Sequence, residues 1–150
     1  MQWKGEDELI LIGKAGKTVF SRLLEGEDLF ESIKNRAEIS GIRAGFFILI
    51  GSVKHAALGY YKDGKYETTC LEGPLEVASC TGNVAVDEKG EVVIHAHVVV
   101  SNEKGEAFGG HLTKGSEVGA TAELIMVEAA GVKAQRVYDE KTKLKLWKLG

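Results

Sequence analysis

Val92-Val93-Ile94-His95-Ala96-His97-Val98-Val99-Val100-Ser101-Asn102-Glu103-Lys104-Gly105-Glu106-Ala107-Phe108-Gly109-Gly110-His111-Leu112 reads as two strands joined by a turn, and it carries three of the four histidines in the chain. β-branched residues dominate its first arm and suit a pleated, half-buried surface. Side chains two apart on a strand share a face, with alpha carbons about 6.6 Å apart, so His95 and His97 can address one ion. Imidazoles set among valines cost free energy unless their nitrogens find partners.

The turn chemistry decides where His111 falls. Asn102-Glu103-Lys104-Gly105 has asparagine at its first position and glycine at its fourth, which suits a type I turn closed by a glycine bulge in a three-residue hairpin loop. That register sets Asn102 opposite Glu106 and His97 opposite His111. A two- or four-residue loop would shift the parity and send His111 to the other face. Asp87-Glu88-Lys89-Gly90 repeats the chemistry one strand earlier, setting Asn83 opposite His95 and Thr81 opposite His97. The meander is expected to present Thr81, Asn83, His95, His97, His111 and Thr113 on one surface, with Gly109-Gly110 free to bend toward a ligand.

Moving outward, Asp63-Gly64 joins Val53–Tyr61 to Lys65–Leu71 as a two-residue hairpin. Gly26-Glu27-Asp28 opens a helix with acids at its start, an apolar face of Leu29, Phe30, Ile33 and Ala37, and Gly41 as a stop. Further strands are expected at Leu9–Ile12, Thr18–Leu24, Ala44–Ile50, Leu75–Val86, Thr121–Ala129 and Gln135–Tyr138, the first two flanking a turn at Gly13–Gly16. One helix against about eight or nine short strands is an α+β class with a largely antiparallel sheet. Gly16-Lys17-Thr18 looks like the end of a phosphate-binding loop. The required earlier glycine is Leu11, however, and strand-forming residues follow, so that reading is rejected.

The 150 residues, 44% hydrophobic and 27% charged, suit one domain spanning 1–150 with a core of its own. No apolar run approaches the roughly 20 residues of a membrane helix, and Met1–Asp7 lacks the apolar segment of a signal peptide, so the expected setting is cytoplasmic and away from membranes. Cys70 and Cys80 are spaced unlike a zinc or redox pair and read as buried thiols. A net charge of -3 and a pI near 5.8 argue against a surface generally adapted to polyphosphate. The lysine-rich Lys141–Lys148 alternates like an edge strand with a solvated face.

Three neutral imidazoles suit zinc with a fourth position open to water or substrate, while nickel, iron and copper remain alternatives. Against this stands the reading in which strand histidines are satisfied by hydrogen bonds or packed at subunit contacts. His55 lies outside the trio and is unassigned.

These residues resemble the plant and prokaryote conserved (PPC) domain, also called the domain of unknown function 296 (DUF296) family, from about Leu9 to Tyr138. The resemblance is carried by Gly26-Glu27-Asp28-Leu29, Gly51-Ser52-Val53, Tyr60-Tyr61, Gly64-Lys65-Tyr66, Glu72-Gly73-Pro74-Leu75-Glu76-Val77, Gly82-Asn83, His95-Ala96-His97 and Gly109-Gly110-His111-Leu112. It implies an α+β fold, a homotrimer, and a zinc site at the histidine trio in some bacterial members. The fold is also similar to that of α-acetolactate decarboxylase, a zinc enzyme using three histidines, although fold alone does not transfer function. DNA binding is attached to the family through plant members that join the domain to an AT-hook, and no such segment occurs in these residues.

Two functions follow as expectations. In a metal-dependent hydrolase or lyase, the trio would hold zinc, which acidifies a bound water or polarises a carbonyl of a small-molecule ligand. Glu117, Glu123, Glu76 and Arg22 are the candidate acids, bases or charges for such chemistry, although each reads first as a surface or structural charge. In a DNA-binding or regulatory assembly module, the histidines would be structural or contact residues.

Overall fold

A computed structural model describes residues 10–148. It is α+β: eight strands in one largely antiparallel sheet with a single helix among the described residues. The strands are β1 (Lys14–Leu24), β2 (Gly45–Lys62), β3 (Lys65–Val86), β4 (Val92–Ser101), β5 (Ala107–Leu112), β6 (Glu117–Ala130), β7 (Gln135–Asp139) and β8 (Leu144–Lys148), and α1 is Leu29–Ser40. Along the sheet they run β1-β6-β2-β5-β4-β3-β7-β8, and β2 also pairs with β3. The pairings β2–β3, β3–β4, β4–β5 and β5–β2 therefore close a ring, sealed where Leu58 meets Leu112 and Gly59 meets His111.

Closure gives each strand an inner and an outer face. On β4 the even residues Ile94, Ala96, Val98 and Val100 are buried, while His95 is half-buried and His97 exposed on the other face. The inner residues join Phe47, Leu49, Leu112, Leu124 and Met126 in one core, which Leu29, Ile33 and Ala37 of α1 complete. Each Val, Leu, Ile, Phe or Met side chain among them contributes about 1.5–3 kcal/mol on burial. The helix begins where the sequence implies: Asp28 is the N-cap, its Oδ1 accepting from Glu31 N at 3.0 Å, and Gly41 closes the other end with φ 69°. Phe30 packs against the core while staying only partly buried.

Several expected boundaries are corrected. Gly13–Gly16 is not a turn between strands: Ile10–Gly13 is irregular, and β1 runs from Lys14 with a register shift between Ala15 and Thr18. Leu9 lies outside the described residues. Gly51-Ser52 and Gly73-Pro74 do not end strands, because β2 and β3 stay paired through them and absorb the irregularity as register shifts near Leu49–Gly51 and Val53–His55. Cys80 is buried, and burial pushes its thiol up to about 12, but Cys70 is exposed rather than buried. It sits on the part of β3 before Glu76, where β4 has not begun to pair and the strand has β2 on one side only. The Lys141–Lys148 expectation fits, as β8 is an outermost strand.

Candidate metal centre

The hairpin register is the expected one. Asn102 N donates to Glu106 O at 3.1 Å and Gly105 N to Asn102 O at 2.9 Å, while the Asn102 side-chain Oδ1 accepts from Lys104 N and Glu106 N. His97 lies opposite His111, Thr81 opposite His97 and Asn83 opposite His95. The three imidazoles converge on the outer face, with ring centroids 5.3 Å apart for His95–His97, 5.1 Å for His95–His111 and 5.8 Å for His97–His111. One ring nitrogen from each lies within 4.8 Å of the others.

The donor set fits a metal ion. His111 Nδ1 is buried without a hydrogen-bond partner, and such an orphan costs about 1–3 kcal/mol unless something satisfies it. Burial, followed by the nearby His95, His97 and Arg136, pushes His111 down to about 4. Burial lowers His95 as well, with Arg136 and then His97 adding to the effect. Both rings are thus neutral at pH 7, the protonation state a metal requires. Three nitrogens with no carboxylate among them match zinc, copper, nickel or iron rather than magnesium or calcium.

The three other face residues divide. Thr81 is exposed beside His97. Asn83 Oδ1 accepts from Arg136 Nη2 at 2.9 Å, and Thr113 Oγ1 donates to Ala57 O at 3.1 Å, tying down the chain after β5. The missing Cβ of Gly110 lets β5 approach Gly59 O and Leu58.

None of the four acid-base candidates joins the histidines, in keeping with their reading as surface or structural charges. Glu117 pairs with Lys54 at 2.9 Å, and Glu123 and Arg22 oppose each other on β6 and β1. Glu76 lies opposite Ser101, four residues along β4 from His97, or about 13 Å. His55 is opposite Glu72 and Glu117, also away from the trio.

Two further neighbours were not among the expected site residues. Tyr66 stacks on His111 with centroids 4.3 Å apart and planes at 22°. Gly59 permits this approach, since a Cβ there would lie 3.1 Å from Tyr66 Cδ1 and 3.3 Å from His111 Cβ. Arg136 on β7 reaches back across 41 residues to place Nη2 3.4 Å from His95 Nδ1. The tyrosine's sequence signal is its place in Gly64-Lys65-Tyr66, a stretch of the family resemblance that gives it no role; nothing local marks the arginine. A cavity of about 370 Å³ adjoins His95, His111, Tyr66 and Arg136. It opens where β5 has parted from β4, leaving Val92–Ala96 paired on one side only.

The Plants and Prokaryotes Conserved (PCC) domain matches residues 11–130. A plant- and prokaryote-conserved protein from Pyrococcus horikoshii superposes with a TM-score of 0.86 at 36% identity, covering 93% of this chain and 96% of that one. A metal-containing protein from Archaeoglobus fulgidus gives 0.84 at 34% identity, covering 93% and 99%. A Ralstonia eutropha protein whose name proposes DNA binding for it gives 0.77 at 26%, covering 87% and 90%. Two Synechococcus proteins named bifunctional protein GlmU are 29% and 28% identical over 122 and 123 residues, and this chain spans only 18% of their length.

Proposed function

Because this chain belongs to the Plants and Prokaryotes Conserved domain family, we propose that residues 1–150 form one such domain, a cytoplasmic homotrimer whose His95, His97 and His111 hold zinc for hydrolase- or lyase-type chemistry on a small molecule. The observation that carries the metal reading is the convergence of three ring nitrogens within 4.8 Å, one imidazole having a buried Nδ1 without a partner. The metal-containing relative from Archaeoglobus fulgidus supports it.

When bound, zinc supplies Lewis acidity to a carbonyl or acidifies a bound water. The chain's own residues prepare the place. His95 and His97 are fixed by alternation on one strand, and His111 by the three-residue turn. Tyr66 holds the His111 ring by stacking, and its hydroxyl, pushed up mainly by burial, stays protonated at neutral pH. The trimer is supported by an apolar outer face on β1, β6 and β2, where Phe20, Ile125 and Ile48 align in one row and Phe20, Ile48 and Ile50 are exposed. No helix among the described residues is long and apolar enough to cross a membrane.

Metal analysis of protein purified without an affinity tag tests the reading. About one equivalent of zinc per chain is expected, falling at least tenfold in His97→Ala, whose exposed position spares the core. Less than about a tenth of an equivalent in the natural chain after incubation with zinc would overturn it. The Ralstonia eutropha relative favours a second reading, a DNA-binding or regulatory assembly module with contact histidines. Salt-dependent retention of duplex DNA would support that alternative, and no retention at low salt would remove it.

A further inference from the structure

Arg136 is held by neutral partners alone. Its Nη1 donates to Lys145 O at 2.9 Å and Nη2 to Asn83 Oδ1 at 2.9 Å, its guanidinium carbon sits 5.4 Å from the Trp147 ring centroid, and Nε is buried with no partner. No carboxylate among the described residues forms an ion pair with it. A half-buried guanidinium without a counter-charge gives up part of its hydration with no opposite charge to offset the loss. The other cations lining the cavity are already matched: Lys114 pairs with Glu31, Lys34 with Glu38, and Lys145 with Asp87 and Glu88. Arg136 is the one cation of the cavity lining left uncompensated among the described residues.

The histidine side sharpens the point. Arginine only donates, so a hydrogen bond across this 3.4 Å contact requires the His95 tautomer whose Nδ1 accepts and whose proton is on Nε2. The one lone pair His95 offers in that state faces the guanidinium. A dication held by three neutral imidazoles beside an arginine would create a site of charge +3, and Glu31, the one carboxylate among the cavity-lining residues, is already paired with Lys114.

We propose that Arg136 makes this cavity a receptor for a small organic carboxylate, seated against the guanidinium, His95 and His111. A carboxylate oxygen accepts from Nη2 in place of His95 Nδ1, freeing that lone pair for a metal, so anion and metal reinforce each other. The guanidinium part stands on Arg136 and the cavity, while the reinforcement rests on the zinc reading above.

Titration calorimetry with succinate, using neutral succinamide as control, tests this on chelator-treated and zinc-loaded protein whose metal content is measured in the same samples. Saturable succinate binding without succinamide binding is expected, weakened about tenfold in Arg136→Gln and several-fold in Arg136→Lys, whose ammonium keeps the charge but loses the fork. Should Arg136→Gln not fold, the Lys variant decides. Affinity unchanged in Arg136→Lys and Arg136→Gln overturns the proposal, as does no saturable binding up to about 50 mM, a range that covers weak single-carboxylate affinities. If zinc is not retained but succinate binds through Arg136, the metal reading fails alone. If zinc is retained and succinate does not bind, the anion receptor fails alone.

Discussion

Asp28 joins the start of α1 to the chain before β6: Oδ1 caps Glu31 N and Oδ2 accepts from Gly115 N at 2.7 Å. Asp28→Ala removes both and should cost about 1–2 kcal/mol, read from the denaturant midpoint at unchanged slope. Gly82, between Thr81 and Asn83, has His95 O at 2.4 Å and Phe47 Cζ at 2.5 Å from where a Cβ would sit. Backbone cannot yield as a side-chain tip can, so Gly82→Ala should destabilise by at least about 2 kcal/mol, measured in the same way. Glu27 provides the pH test. Burial opposes its ionisation, but hydrogen bonds from Leu24 N and Arg36 with the arginine's charge outweigh that and leave its pKa lowered. A carboxyl lowered in the folded state stabilises above its unfolded value of about 4.3, and the gain is lost as pH falls through the folded value. Glu27→Gln should therefore narrow its stability deficit relative to the natural chain as pH drops from about 6 to below 4, checked by thermal melts across that window. The histidine trio was legible because all its members lie on one hairpin; Tyr66 and Arg136 were not, since a contact spanning 41 residues leaves no local periodicity.

The β4–β5 hairpin shows how a turn assigns chemistry to a face. A strand's side chains alternate with period two, so one residue more or fewer in the loop exchanges inner and outer sets. Deleting Lys104 should shift the pairing of β5, move His111 from opposite His97 and weaken zinc binding at least tenfold by competition with a chromophoric chelator. Unchanged affinity would show that the turn does not set the site. Helix α1 was readable at both ends because capping is local chemistry. The long β2 and β3 were not: Gly51-Ser52 and Gly73-Pro74 look like chain breaks, yet a strand paired with a continuous partner keeps its ladder and bends. The same limit explains Cys70, whose exposure depends on where β4 begins to pair rather than on its own neighbours.

The outer face of the sheet joins the two proposed properties of the assembled molecule. Phe20, Ile125, Ile48, Thr81, His97 and His111 occupy one continuous row across β1, β6, β2, β3, β4 and β5. An apolar group such as exposed Ile48 on this row suits a subunit contact. Ile48→Lys should shift sedimentation at micromolar concentration from trimer to monomer, and a natural chain already monomeric there would contradict the trimer. The parallel pairing of Gln135 with Val86 brings β7, and β8 alongside it, beside the site and carries Arg136 to His95. The α+β class, the helix and its caps, the turn types and the common face of the three histidines follow from residue order, because each depends on bonds or periodicities spanning a few positions. The closed ring, the cavity at the free edge of β4, the stacking of Tyr66 and the arrival of an uncompensated arginine depend on which distant strands meet. That choice is made by burial of the whole core, whose free energy no single segment contains.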